Sequence, residues 1–107
     1  MKDASKQRGR GSPLKCLIVR EPHASRILTD KKTREYRSTR TKMRGVIGII
    51  PATTKKVAGK VEIIDVKGPL SNGCYAYVLR HPVKLKQPIP YNHPNGAVRW
   101  VNVYERI

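Results

Sequence analysis

The chain has 107 residues, and its 23 lysine and arginine residues against 7 aspartate and glutamate residues give a formal net charge of +16. This length is common for one domain and leaves little room for two. No apolar stretch is long enough to span a bilayer, and the first residues lack the apolar segment of a secretory signal. Because a polyanion relieves the self-repulsion of so basic a chain, we expect a protein that binds nucleic acid and no membrane. The two cysteines, Cys16 and Cys74, each lie in an apolar run and suit buried free thiols in a reducing compartment, so we expect a cytoplasmic protein.

Residues 1–13 are predicted to form a flexible basic arm, and residues 14–107 the folded domain. The arm carries four cations, Lys2, Lys6, Arg8 and Arg10, separated by small and polar residues that have nothing to bury. Two interpretations of this arm stay open: it lies along phosphates, or it is a solvated tail.

The domain opens with an apolar run, 14–19, that predicts a buried strand. Apolar residues then recur at helical spacing, at Ala24, Ile27 and Leu28, after a proline suited to a first turn, so 23–30 is predicted to be a short helix. Further strand-like runs follow at 33–37, 46–50, 57–66, 74–79 and 97–104. Four prolines between positions 80 and 96 require extended or turning backbone there.

Short strands separated by turn signals are typical of a small barrel. We therefore predict a mostly β (α+β) fold, a barrel of about six strands with one short helix after the first strand. Gly59, inside the longest strand, would allow a bulge or a tight bend.

The segment 26–44 has the densest charge, and only Asp30 and Glu35 oppose its cations. Its eight basic residues are Arg26, Lys31, Lys32, Arg34, Arg37, Arg40, Lys42 and Arg44. This density predicts a phosphate-binding surface; the alternative is an ordinary solvated face. Tyr36 stands between Arg34 and Arg37 and could stack on a base or pack on the protein.

Catalytic and metal-binding signatures are missing from the sequence, so no metal or cofactor is predicted. The three histidines, His23, His81 and His93, are dispersed, and each is adjacent to a proline. We interpret them as loop or helix-cap residues. Lys32 and Glu35 form the pair most suited to acid–base chemistry, and a surface salt bridge is the simpler interpretation of them.

Four pieces of the chain, in order, resemble the ASCH domains of the PUA-like superfamily, over nearly all of residues 14–104. The first is REPHASRILTDKKTREYRSTRTKMRG, whose K-T-x-E-x-R motif spans residues 32–37. RGVIGIIPA and GKVEIIDVKGPL are similar to the two strands that follow in the family. YAYVLRHPVKLKQPIPYNHPNGAVRWV resembles its closing pattern.

This resemblance implies a six-stranded PUA-like β-barrel with a helix beside a cleft, and a protein that binds RNA by recognising single or modified bases. The cleft residues it implies are Lys32, Thr33, Glu35, Arg37 and, on a neighbouring strand, Glu62. Beside that cleft, Arg34, Tyr36, Arg40, Lys42 and Arg44 are our candidates for contacts with the nucleic acid.

Alternatives from other functional classes are kept. Some ASCH relatives are amidohydrolases that deacylate acetylated cytidine with a Lys, a Thr and a Glu, and a ribonuclease activity is also associated with the family. In an enzyme of this kind Lys32 and Glu35 would be catalytic, although Glu35 stands where those relatives have Thr. A ribosome-associated structural protein is the third hypothesis. We expect a monomer that binds RNA, with DNA as the alternative ligand.

Overall fold

The computed structural model describes residues 13–97 and 99–104, and over these it contains six strands and one short helix. The elements in chain order are β1 (Leu14–Val19), α1 (His23–Leu28), β2 (Arg34–Arg37), β3 (Gly45–Pro51), β4 (Lys56–Lys67), β5 (Tyr75–Pro90) and β6 (Trp100–Val103). The predicted fold class, mostly β with one helix after the first strand, is confirmed. Most of the predicted arm, residues 1–12, lies outside the described residues.

The strands form one sheet in the order β2-β5-β4-β3-β1-β6. β1 runs parallel to β3, and the other neighbouring pairs are antiparallel. β1 and β3 are the most continuously apolar strands because both of their faces are covered.

A first core lies on the face that α1 covers. The spacing of Ala24, Ile27 and Leu28 gives α1 one apolar side, and all three residues are buried. A Cβ atom at Gly59 would lie 2.6 Å from Leu28 Cδ2 and 2.5 Å from Val83 O, so only glycine permits this approach of helix and sheet. The β4–β5 register shifts at the same point, between Val57 and Gly59, where the sequence allowed a bulge or a tight bend.

A second core lies on the opposite face of β1 and β3. It contains Leu14, Cys16, Ile50, Val57, Val101 and Val103. The second half of β5 covers it with Leu85 and Ile89, and Tyr91 and Ala97 continue this cover. The proline-rich stretch is therefore a strand as far as Pro90. Its prolines are tolerated because β2 and the adjoining Thr33 bond to β5 only at 75–79, and beyond that point no described strand pairs with this edge of β5.

The prediction of a closed barrel needs a correction. Over the described residues the sheet is open, with β2 and β6 at its two ends. Both end strands have four residues, and β6 pairs only with 14–17 of β1. The far end of β1 therefore has no strand beside it on that edge, and a side chain of β2 takes the place of a ladder: Arg37 Nη2 donates to Ile18 O at 2.7 Å. The gap between β1 and β2 becomes a cleft.

Candidate functional site

The cleft between β1 and β2 has a volume of about 440 Å³. Its lining residues are Ile18, Arg20, His23, Glu35, Arg37, Ala52, Lys55, His93 and Ala97. Three of them are permanent cations and one is a carboxylate, so the cleft favours an anionic ligand.

One wall of the cleft is built on β2 and the residues that support it; we call His23, Lys32, Glu35 and Arg37 the β2 wall. Strand alternation puts Glu35 and Arg37 on the same face. The Glu35 side chain is only 8% exposed, and its Oε2 accepts from Arg37 Nε at 2.9 Å. Lys32 Nζ lies 3.2 Å from Glu35 Oε1. This ion pair lacks hydrogen-bond geometry, and Oε1 has no hydrogen-bond donor among the described residues.

Lys32 also contacts the first residue of α1. Its Nζ is 3.0 Å from His23 Nδ1. An ammonium group only donates, so His23 Nδ1 accepts and the imidazole proton is on Nε2. Lys32 does not line the cleft itself. It contacts two lining residues, His23 and Glu35, and so supports their positions.

Two cations enter the cleft from the ends of strands. Arg20 directly follows β1, and Lys55 directly precedes β4. Ala52 N donates to Val19 O at 2.9 Å, which fixes the β3–β4 turn beside the end of β1 and brings Lys55 to the cleft. Lys55 has a φ of 55°, a left-handed conformation that is uncommon for a lysine.

The opposite wall is the loop 91–97; we call Tyr91, His93 and Ala97 the turn wall. His93 Nδ1 is 2.8 Å from the Tyr91 hydroxyl, and His93 Nε2 is 3.0 Å from Ala97 O. Burial, together with the nearby Cys16, raises the pKa of Tyr91, so its hydroxyl keeps its proton. Ala97 N donates to Pro94 O at 3.1 Å, and Gly96 supplies the positive φ of 79° that this turn needs.

The structure brings together three of the predicted cleft residues: Lys32, Glu35 and Arg37. Thr33 is exposed, and its carbonyl accepts from Leu79 N at 2.8 Å. Tyr36 lies on the other face of β2, 49% exposed, with Lys32 Nζ 5.9 Å from its ring centroid. Arg34 shares that outward face.

The remaining predicted residues lie outside the cleft lining. Arg40 lies over the Tyr75 ring at 5.1 Å and donates to Gly68 O, and Arg44 donates to Met43 O. Lys42 is exposed. Glu62 contacts His81 Nδ1 at 2.9 Å instead of the β2 wall.

Sequence reasoning did not find Arg20, His23, Lys55 and His93 as lining residues. The two histidines carried a signal, since each adjoins a proline at the start of a helix or turn. Arg20 and Lys55 carried none, because only the folded sheet brings the ends of β1 and β3 together.

The sequence of the chain matches a known domain family. The ASCH domain profile matches residues 17–87, more than half of the chain, and the match includes the whole β2 wall and the cations at the strand ends. The chain belongs to the ASCH domain family. The PUA-like architecture that the resemblance implied is consistent with this match. The turn wall lies beyond the matched residues.

Solved structures support the fold. The crystal structure of ASCH from Zymomonas mobilis superposes with a TM-score of 0.59 at 18% identity, covering 73% of either chain. Two single-substitution variants of that protein, each 19% identical, give TM-scores of 0.58 and 0.57; they cover 73% of this chain and 76% and 74% of their own chains. Identities this low establish a shared fold and nothing further. No curated protein matches the chain significantly.

Two features are absent from the described residues. No helix there has the length and apolar character needed to cross a membrane. Over the same residues, no three histidine, cysteine or acidic side chains come together as a potential metal site.

Proposed function

We propose that this ASCH domain is a nucleic-acid-binding module that takes a single base of an RNA strand into the cleft between β1 and β2. The observation that carries the proposal is the buried Glu35 carboxylate on the cleft wall, held by Lys32 and Arg37 and flanked by Arg20 and Lys55. A fixed acceptor surrounded by cations suits a ligand that combines a hydrogen-bond donor with phosphate.

The size of the cleft supports one nucleotide. Its volume of about 440 Å³ lies at the lower end of the range for small-ligand sites, about 300 to 1,000 Å³. A duplex does not enter a site of this size. Single-stranded RNA can, since proteins read its unstacked bases one at a time.

The chemistry assigns roles to the two kinds of polar group. Glu35 would accept from an exocyclic amine, which favours cytosine or adenine, and His23 Nε2–H and Arg37 would donate to base acceptors. Arg20 and Lys55 would contact the flanking phosphates. Farther along the strand, Arg34, Arg40, Lys42 and Arg44 would add non-specific contacts.

The test is equilibrium binding of a fluorescent single-stranded RNA at several salt concentrations. Each phosphate contact on a single strand contributes about −0.7 to the slope of log affinity against log salt, so about six contacts predict a slope of about −4. The double variant Arg20→Ala/Lys55→Ala should weaken binding at least about tenfold and reduce the slope by about 1.4.

The matched control is Lys84→Ala/Lys86→Ala, which removes the same charge from exposed positions outside the cleft lining. It should reduce RNA affinity by about threefold or less. Equal losses in both double variants would contradict a cleft site and leave only non-specific attraction. Incubation with acetylated cytidine belongs in the same experiment, since release of acetate would establish the hydrolase alternative.

A further inference from the structure

His93 is the cleft residue whose polar atoms are already used within the protein. Its Nε2 is 3.0 Å from Ala97 O, and its Nδ1 is 2.8 Å from the Tyr91 hydroxyl. A carbonyl oxygen only accepts, so Nε2 carries a proton and donates to Ala97 O, while Nδ1 is paired with the Tyr91 hydroxyl. Both ring nitrogens are therefore engaged within the protein, with none left for a ligand.

The surroundings fix the ring as well as its proton. Tyr91 and Ala97 pack on the second core, and the Tyr91 and His93 ring centroids are 5.7 Å apart at an interplanar angle of 58°. The turn that follows is closed by the Ala97 N to Pro94 O bond. His93 nevertheless lines the cleft, so it meets the cleft through its ring carbons and ring faces.

We propose that His93 is a stacking platform for the flat ring of a base, and that Tyr91 is the positioning residue that orients it. This inference rests on the proposed function and adds a division of roles: the β2 wall reads hydrogen bonds, and the turn wall binds any planar heteroaromatic ring. Histidine stacks on bases in single-strand binders, and such contacts tolerate different sequences because every base has a π-face.

Substitutions at position 93 separate stacking from hydrogen bonding. His93→Phe keeps a flat ring and loses both nitrogens, whereas His93→Ala loses the ring together with the nitrogens. Stacking predicts that His93→Ala weakens binding by about 5- to 150-fold, from about 1 to 3 kcal/mol per stacked base, and that His93→Phe stays within about threefold of wild type. The control His81→Ala changes a histidine whose side chain is 76% exposed and lies outside the cleft lining; it should leave affinity unchanged.

The probe is 2-aminopurine, whose fluorescence falls when it stacks, used as the free nucleotide and within a single-stranded RNA. Wild type and His93→Phe should quench both forms, and His93→Ala should not. Tyr91→Phe should reduce the quenching at saturation without abolishing binding, an effect that a purely structural role for Tyr91 would not produce. Thermal unfolding of each variant shows that it is folded.

The outcomes distinguish the two proposals. If wild-type protein binds the RNA but His93→Ala matches His81→Ala, or His93→Phe loses as much as His93→Ala, stacking is overturned and the proposed function stands. If the free nucleotide binds with the predicted dependence on His93 but the RNA does not, stacking stands and RNA binding is overturned. No binding of either probe overturns both.

Discussion

The two walls of the cleft are built by different physical means. The β2 wall belongs to the sheet and carries charged side chains that hold one another, with Arg37 joining Glu35 to the backbone of β1. The turn wall is a loop whose lining histidine is held by a tyrosine hydroxyl and a carbonyl. The first wall offers a ligand charged groups and directed hydrogen bonds, and the second offers a flat surface.

The open sheet thus forms its binding site from one charged wall and one wall held by apolar packing. Charge on the β2 wall compensates for the missing β1–β2 ladder, since Arg37 closes the gap that backbone hydrogen bonds leave. The turn wall carries no lysine, arginine or acidic side chain, and its placement depends on the apolar core beneath Tyr91. Removing a charged side chain should therefore disrupt the β2 wall, and opening the second core should displace the turn wall.

The largest effect is expected at Cys16, in the core beneath the turn wall. Burial raises the pKa of its thiol from 9.0 to about 12, and the side chain is fully buried. In a thiol-labelling experiment the half-buried Cys74 should react at once, and Cys16 about a thousandfold more slowly, because it reacts only after unfolding that costs several kcal/mol.

The same pKa shift sets a pH dependence. The folded state holds the Cys16 proton more tightly than the unfolded state. The contribution of the protonated thiol to the free energy of unfolding is therefore fully present below about pH 9 and is lost as the pH rises toward about 12. Denaturation across this range should show a smaller alkaline loss in Cys16→Ala than in wild type. Equal labelling rates for the two cysteines would contradict a closed core under the turn wall.

The next effect concerns the charge of Glu35. Glu35→Gln leaves Lys32 and Arg37, with side chains 18% and 19% exposed, without their counterion. We expect a loss of about 2 to 4 kcal/mol in the free energy of unfolding, measured by urea denaturation with an unchanged m-value. Glu62→Gln is the matched control, since its pair with His81 is exposed and should be worth about 0.5 kcal/mol or less. Similar costs in both variants would show that the β2 wall is no more than a surface pair.

A smaller effect is expected for Arg37→Lys, which keeps the charge and loses the forked donor. Lysine cannot contact Glu35 Oε2 and Ile18 O in the way the guanidinium does, so stability should fall by about 1 to 2 kcal/mol. Arg34→Lys, on the outward face of the same strand, should change it by less than about 0.5 kcal/mol. Calorimetric melting of the two variants checks the difference, and equal melting temperatures would refute the bridging role.

The smallest expected stability change is at Lys55, whose backbone conformation suits glycine but whose side chain is proposed to bind phosphate. Glycine tolerates the φ of 55°, so Lys55→Gly should keep or raise stability, by at most about 1 kcal/mol, while RNA affinity falls. Asp30→Gly, at a φ of 63°, is the control that should preserve stability without loss of affinity. Unchanged RNA affinity in Lys55→Gly would remove this cation from the site.

Local patterns predicted the elements well, because they depend on neighbouring residues. The apolar runs of β1 and β3, the helical spacing of α1 and the glycine bulge at Gly59 all carry their signal within a few residues. The open sheet was not predictable in the same way. Whether β1 and β2 pair depends on strand lengths and on where β6 stops, and a single side chain, Arg37, decides how the gap is bridged.

The site divides along the same line. Lys32, Glu35 and Arg37 were predicted as cleft residues from the family resemblance, and the structure brings them together because they share one strand and its preceding turn. Lys32 proves to support the lining from behind. Arg20, Lys55 and His93 come from three distant parts of the chain. Their meeting depends on long-range contacts such as Ala52 N to Val19 O, which no local pattern encodes.

The most direct test of the central claim is an amide chemical-shift titration of the isotope-labelled protein with a short single-stranded RNA. We expect the largest shifts at both walls of the cleft, at β2 and at the loop 91–97, together with Arg20 and Lys55. Shifts confined to the basic residues outside the cleft, with both walls unchanged, would contradict it.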